Sequence, residues 1–332
     1  MTQTPILQIT ALSKTYKKSG LFISSKKKNA GFTAVKDIDL TLYQGEVLGL
    51  VGESGSGKST LGRAILQLIR PTKGSVIFEG TELTTLPQKE LRKKRLHMQY
   101  IFQDPKNCLN PTKTIGWLLK EPLIAHGITN KNQRQKKVME MLEMANLDSS
   151  YLTKYPSQLS GGQAQRIALM TALILKPKFV VADEPVSSLD TGVQARILNF
   201  INELKKEMNL TILFITHDLA LCHYMSDRIA VMYLGNIVEL GEAVELYKTP
   251  MHPYTQMLFA SIISVDDHKE ISGSSEFLQT DPKNTHVGCS FYDNCPKAMP
   301  KCKESTPQFY QIPSQKRQVR CFLYERNFSD ND

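Results

Sequence analysis

The sequence predicts an α/β fold: a parallel sheet covered by helices on both faces, with a phosphate cradle at the carboxyl ends of its strands. Three observations carry this. Glu46-Val47-Leu48-Gly49-Leu50-Val51 is an apolar run that leads into Gly52-Glu53-Ser54-Gly55-Ser56-Gly57-Lys58-Ser59-Thr60, which fits G-x-x-x-x-G-K-[ST] at every fixed position. Phe179-Val180-Val181-Ala182-Asp183-Glu184 is a second apolar run, ending in two carboxylates. Leu210 to Thr216 is a third, ending at His217-Asp218. Apolar runs of this kind suit strands buried on both faces, and in such sheets ligands collect at the carboxyl ends.

The Gly-rich stretch explains itself chemically. Its glycines let backbone N–H groups turn inward, and the helix start that follows adds positive potential. Leu61, Ala64, Ile65, Leu68 and Ile69 predict one apolar helix face after it. Lys58 is placed to reach the β- and γ-phosphates of a nucleoside triphosphate, and the Ser59 hydroxyl to ligate Mg²⁺. The blander reading, a glycine-rich turn with a chance Lys-Ser, does not account for a strand before it and a helix after it.

Composition sets limits. The 332 residues suffice for two units of about 150 each. A hydrophobic content of 41% argues against a disordered chain. No run approaches the ~18 consecutive apolar residues of a membrane span. Met1-Thr2-Gln3-Thr4-Pro5 has neither a basic nor an apolar leader region, so the expectation is a cytoplasmic chain without a signal peptide. The net charge of +9 permits nucleic acid or anionic lipid as a neighbour and also fits a solvated basic surface. Its densest basic runs are Lys26-Lys27-Lys28 and Arg92-Lys93-Lys94-Arg95.

Residues 6–16 alternate loosely and predict an edge strand ending at Tyr16, whose ring could face a purine base or serve as a plain edge tyrosine. A Lys/Ser/Gly-rich insertion follows, from Lys17 to Gly31. Strands are expected at Val35–Leu42 and Ser75–Glu79, and Gln99-Tyr100-Ile101-Phe102-Gln103-Asp104-Pro105 reads as a strand that ends on a polar side chain before a proline, leaving Gln103 at a strand-to-loop junction where a polar group can face a ligand. Residues 107–177 read as a helical insertion punctuated by Pro111, Pro122 and Pro156. Within it, Ser160 is a good N-cap, and Gly161, Gly162 and Gln163 make a helix start suited to an anion; alone, this is also an ordinary cap and turn. Asp183 is expected to hold Mg²⁺, directly or through water, and Glu184 to face the γ-phosphate and orient or deprotonate the attacking water. His217 can donate a hydrogen bond to the γ-phosphate. Ser187-Ser188-Leu189-Asp190 reads as a turn, and Arg228–Tyr233 with Ile237–Leu240 as a hairpin through Gly235-Asn236. Residues 264–287 are polar and read as a linker.

Cys289, Cys295, Cys302 and Cys321 crowd the tail in the spacing C-x5-C-x6-C-x18-C. A reducing compartment argues against disulfides. Free thiols, structural zinc without the usual paired knuckles and a [4Fe–4S] cluster held by four thiolates all stand open on spacing alone. Cys108 and Cys222 read as small apolar packing residues.

The order of P-loop, Gln103, Leu159-Ser160-Gly161-Gly162-Gln163, Asp183-Glu184, Ser187-Ser188-Leu189-Asp190 and His217 resembles the ATPase subunit of an ATP-binding cassette transporter, over roughly residues 6–260. The insertion after Tyr16, Asp183-Glu184-Pro185-Val186-Ser187, Met251-His252-Pro253-Tyr254-Thr255 and the Cys-bearing tail look like the oligopeptide/dipeptide permease ATPases. Val186-Ser187 and the insertion favour the F-type subunit.

The resemblance implies a RecA-like P-loop NTPase core with an antiparallel β subdomain and an inserted helical subdomain, over residues 1–263, and a small Cys-rich C-terminal domain at 288–332. It implies a head-to-tail heterodimer with a D-type ATPase. In that dimer Ser160, Gly161, Gly162 and Gln163 serve the partner's ATP, and Asp190 links the two sites. Gln103 touches Mg²⁺ or the water, and Tyr16 stacks on adenine. It also implies two membrane permease subunits, an external solute-binding protein, import of peptides with nickel or another small solute as the alternative cargo, and a location on the cytoplasmic face of the membrane. Tails of similar spacing bind a [4Fe–4S] cluster, which favours that reading here. No departure is visible at the catalytic positions, so both half-sites contributed by this chain are expected to be competent. A soluble cassette ATPase acting on DNA or ribosomes would carry two cassettes, a long coiled coil or a large zinc insertion. A regulatory subunit without activity would have lost Lys58 or Glu184. Neither pattern is present.

Overall fold

The computed structural model describes residues 4–17, 31–104, 108–266, 287–312 and 316–328. Most of the insertion after Tyr16, with Lys26-Lys27-Lys28, and most of the linker predicted at 264–287 lie outside the described residues. In chain order the elements are β1 (Pro5–Tyr16), β2 (Phe32–Tyr43), β3 (Val47–Val51), α1 (Lys58–Ile65), β4 (Lys73–Phe78), β5 (Thr81–Glu82), α2 (Gln88–Lys94) and β6 (Met98–Ile101). They continue with α3 (Ile115–Ala125), α4 (Lys131–Met144), α5 (Gly161–Leu173), β7 (Phe179–Asp183), α6 (Thr191–Met208), β8 (Thr211–Thr216), α7 (Leu219–Met225), β9 (Arg228–Tyr233) and β10 (Asn236–Glu242). The last are α8 (Ala243–Lys248), α9 (Pro253–Asp266), α10 (Pro300–Glu304), β11 (Tyr310–Ile312) and β12 (Arg317–Val319).

The larger sheet has the order β11-β12-β10-β9-β3-β8-β7-β6. From β9 to β6 all pairs are parallel. Every residue of β3, β7 and β8 is buried, as expected for strands covered on both faces. Because β3, β6, β7 and β8 run the same way, the P-loop, Gln103, Asp183-Glu184 and His217 all emerge at one edge. That edge is where ligands gather in such sheets.

The smaller sheet is antiparallel, in the order β2-β1-β4-β5. Here the edge-strand expectation for residues 6–16 is overturned. β1 pairs with β2 on one side and β4 on the other. Its loose alternation comes from a bulge: Ala11 has φ of +47°, and register shifts flank it, so buried residues change sides at mid-strand.

Two helical expectations are also corrected. α1 stops at Ile65, and Leu68 is exposed. Gln67 takes a left-handed φ of +54°, and its side-chain amide donates to the Ala64 carbonyl at 2.8 Å, closing the turn. Pro122 does not break the insertion but lies inside α3. α3, α4 and α5 bury Leu119, Leu123, Val138, Leu142, Ile167 and Met170 in one core.

The tail is docked on the larger sheet. β12 pairs antiparallel with β10, and β11 with β12. The junction carries a fully buried ion pair, Arg317 Nη1 to Glu239 Oε1 at 3.3 Å. Glu239 also accepts from the backbone N–H groups of Met251 (3.0 Å) and His252 (2.9 Å), and Arg317 donates to the Thr249 carbonyl. One carboxylate thus holds both the segment leading into α9 and a strand from the tail. Among the described residues no helix is long and apolar enough to cross a membrane.

Candidate nucleotide site

The P-loop is a tight turn between β3 and α1. Gly57 has φ of +107°, and a Cβ there would meet the Ala34 carbonyl oxygen at 2.2 Å, so no side chain fits. Lys58 is buried and its Nζ donates to the carbonyls of Gly52 (2.6 Å) and Glu53 (2.7 Å). Burial pulls its pKa below the usual lysine value, and the carboxylates of Glu184, Asp183 and Glu53 work against that shift. The ammonium is therefore held at the loop, within the field of three carboxylates. Burial pushes the Glu53 carboxyl upward.

Asp183 ends β7, and its two oxygens have separate partners. Ser59 Oγ donates to Oδ1 at 3.0 Å, and the Tyr100 hydroxyl donates to Oδ2 at 2.5 Å. Burial, then the neighbouring carboxylate, push the Tyr100 phenol well above its ordinary range. The phenol therefore stays protonated and acts as a donor. Ser59 and Asp183 converge as two oxygen donors, the set that a hard divalent cation such as Mg²⁺ takes.

Glu184 is the next residue and sits at φ of +48°, a conformation that costs of order 1–3 kcal/mol and concentrates at functional sites. Its N–H donates to the Ile215 carbonyl of β8 at 2.9 Å, which holds the turn. Gln103 Nε2 donates to Glu184 Oε2 at 2.9 Å, and His217 Nδ1 lies 3.1 Å from Oε1. Lys58, Ser59, Gln103, Asp183, Glu184 and His217 are thus brought to one end of the sheet.

Three predicted groups lie apart from this cluster. Ser160 N-caps α5 in a closed box: Gln163 Oε1 accepts from the Ser160 N–H at 3.0 Å, and Ser160 Oγ from the Gln163 N–H at 3.4 Å. Gly162 is packed so closely on Val193 that a Cβ would meet it at 2.6 Å. Asp190 caps α6 by accepting from the Val193 N–H at 2.9 Å and is exposed. Tyr16 is exposed at the end of β1, with the Lys14 ammonium 5.2 Å from its ring centroid.

Two contributors carry no role in the sequence reading. Tyr100 lies inside β6, three residues before Gln103, so its side chain is legible in the sequence only as strand packing. Tyr254, buried in α9, reaches the P-loop: its hydroxyl accepts from the Glu53 N–H at 3.2 Å. No signal local to either sequence segment points to the other.

Cys289, Cys295, Cys302 and Cys321 line one small cavity, with His252 and Phe291 among its walls. Burial raises the thiols of Cys289, Cys295 and Cys321, the last to about 11, and mutual repulsion adds to it. Among the described residues no group of three or more Cys, His, Asp or Glu side chains has an arrangement suited to a metal ion.

Residues 35–187 match the ABC transporter family, and residues 238–302 match the oligopeptide/dipeptide transporter C-terminal region. The oligopeptide transport ATP-binding protein AppF of Bacillus subtilis (strain 168) is 42% identical over 328 residues, covering 97% of this chain and 98% of that protein. A putative peptide import ATP-binding protein of Brucella ovis, BOV_A0347, is 41% identical over 315 residues, 94% of this chain and 96% of the relative. Among solved structures, the dimeric ATP-binding cassette MJ0796 in a post-hydrolysis state bound to ADP and Pi superposes with a TM-score of 0.62 at 30% identity. It covers 71% of this chain and 98% of that one. With a P-loop, paired carboxylates and their Gln and His partners on one sheet edge, and similarity along nearly its whole length, the chain belongs to the ATP-binding subunits of ABC transporters, in the oligopeptide/dipeptide group.

Proposed function

We propose that this chain hydrolyses ATP to power the import of peptides through membrane subunits it does not itself contain. The observation that carries the catalytic part is Glu184, at the end of β7 with one carboxylate oxygen on Gln103 and the other beside His217. A carboxylate fixed at both oxygens can orient a water and take its proton as the terminal phosphoryl group leaves. Lys58 and the P-loop N–H groups bind the phosphates. Ser59, Asp183 and Gln103 would hold Mg²⁺, which when bound neutralises charge developing on the phosphates. His217 contributes a donor on the same side. The peptide names of the relatives, AppF among them, support peptides over nickel as cargo and favour the F-type position.

The same reading gives the outlying groups their work. Ser160, Gly161, Gly162 and Gln163 form a helix start whose N–H groups suit a phosphate, and they serve the ATP of a D-type partner ATPase in a heterodimer. Asp190 joins the two sites, and Tyr16 stacks on the adenine with the ring face that Lys14 leaves open. The solved dimer of the MJ0796 cassette is the support for a two-subunit assembly. The chain works peripherally at the cytoplasmic face of the membrane, beneath two permease subunits and, through them, an external solute-binding protein. No nucleic acid takes part.

The tail, in this reading, holds a [4Fe–4S] cluster on Cys289, Cys295, Cys302 and Cys321. What supports it is the donor count alone, four thiols lining one cavity; they do not stand in a ligating arrangement in this structure. Bound iron would supply the positive charge that lets these crowded thiols ionise. Iron and acid-labile sulfide measured in anaerobically prepared protein test this, and a colourless, iron-free protein refutes it.

The test of the whole is the Glu184→Gln chain, tagged and purified from membranes with ATP. Turnover should fall about 10²- to 10⁴-fold, while a second cassette ATPase and two membrane subunits co-purify. Unchanged ATPase, or recovery of ribosomes or DNA without membrane proteins, would sink the reading.

A further inference from the structure

We propose that Tyr100 is a positioning residue for the Asp183 carboxylate, and that its hydroxyl sets the orientation in which Asp183 meets the divalent cation. This rests on the ATPase reading and assigns a part to a residue outside its motifs.

The geometry is specific. Asp183 is buried, so an oxygen without a donor is costly. Ser59 supplies the donor for Oδ1, and Tyr100 supplies the one for Oδ2. With both oxygens fixed, the plane of the carboxylate is fixed. Take away the Tyr100 hydroxyl, and Oδ2 faces an apolar ring edge. The carboxylate then turns to seek another donor, and Oδ1 leaves the position it shares with Ser59.

Tyr100 is itself held from three sides. β6 pairs with β7 so that Tyr100 lies beside Val181, two residues before Asp183 on the neighbouring strand. The Phe102 ring packs on it at 4.6 Å between centroids. Gly62 of α1 lies against the ring, so near that a Cβ there would stand 3.5 Å from Tyr100 Cε2 and 2.8 Å from Val181 Cγ1. One turn of α1 therefore carries Ser59 to one oxygen of Asp183 and packs Gly62 against the ring whose hydroxyl holds the other.

The experiment is a Mg²⁺ titration of a fluorescent ATP analogue bound to the full chain, for wild type, Tyr100→Phe and Tyr100→Met. Wild-type binding of the analogue in EDTA tests the nucleotide site independently; its failure would strike the ATPase reading and not this one. Both Tyr100 variants should bind the analogue in EDTA within about twofold of wild type. Their Mg²⁺ half-saturation should rise about 10- to 100-fold, the range seen when the partner of a metal ligand is lost. Mn²⁺ binding read by electron paramagnetic resonance should shift in parallel. Turnover at saturating ATP should recover as Mg²⁺ is raised. Wild-type half-saturation in a folded Tyr100 variant overturns the proposal, and so does loss of analogue binding in EDTA, which would make the role merely structural. Failure of both Tyr100 variants to fold would likewise make the role structural and overturn it.

Discussion

The hydroxyl of Tyr254 accepts a hydrogen bond from the backbone N–H of Glu53 at 3.2 Å, joining α9 to the middle of the P-loop. The same ring packs on Tyr233 at 4.5 Å and on Phe291 at 5.5 Å. Phe291 and the adjacent His252 both wall the four-cysteine cavity. One side chain thus stands between the phosphate loop and the tail.

Tyr254→Phe keeps the ring and removes only this acceptor. The Glu53 N–H then loses its partner, which costs about 1–3 kcal/mol where water cannot replace it. We expect ATP affinity to fall about fivefold or more, with the unfolding temperature lowered by a few degrees. Titration with a fluorescent nucleotide and a thermal melt check both. Wild-type affinity would show that the loop holds its shape without α9.

Gln103→Ala and His217→Ala each free one oxygen of Glu184. Lys58 and the P-loop still hold the phosphates, so nucleotide affinity should fall far less than turnover. A carboxylate misplaced by about 1 Å costs on the order of 10²-fold in turnover. Steady-state ATPase in the assembled transporter, set beside binding by the isolated chain, separates the two effects. A rise in Kd with unchanged kcat would contradict the assignment.

Arg317→Met leaves Glu239 buried opposite an apolar chain. Removing one partner of a buried pair costs about 3–5 kcal/mol. The double variant Arg317→Met with Glu239→Gln should recover part of the loss, because no charge is then stranded. Urea unfolding of Arg317→Met, Glu239→Gln and the double variant makes the comparison, and full additivity would argue against the pair as the clasp of the tail.

Cys222 is fully buried, and burial pushes its thiol up to about 12 from an ordinary value near 9. Between these values the unfolded chain loses the proton that the folded chain keeps. The Cys222 contribution to stability is therefore whole below pH 9 and fades as pH rises toward 12, by about 1.4 kcal/mol per unit. Cys222→Ala should flatten that alkaline slope. At pH 8 a thiol reagent should modify exposed Cys108 and spare Cys222 until the protein unfolds.

The phosphate site was legible because its chemistry is local. A strand, a Gly-rich turn and a helix start fit in twenty residues, and the fixed spacing of Gly52, Gly57, Lys58 and Ser59 records the shape of the loop they form. Apolar runs ending in Asp183-Glu184 and His217 likewise state both that a strand is buried and where it ends. The sheet order then brings them together, since parallel strands share a ligand edge. β1 was less legible, because one bulge at Ala11 erased the alternation that would have marked a strand with neighbours on both sides.

By itself, then, the sequence determined the nucleotide chemistry of this protein, the residues that gather at its candidate site and the helix-rich character of residues 107–177. Each is written in short-range spacing or in the period of a single element. Only the tertiary structure decided which side chains support that chemistry from afar. Tyr100 meets Asp183 across 83 residues, Tyr254 meets Glu53 across 201, and Arg317 meets Glu239 across 78. A buried carboxylate or loop N–H requires a partner but does not fix where along the chain it comes from. Strand order and helix packing make that choice, and no local pattern records it.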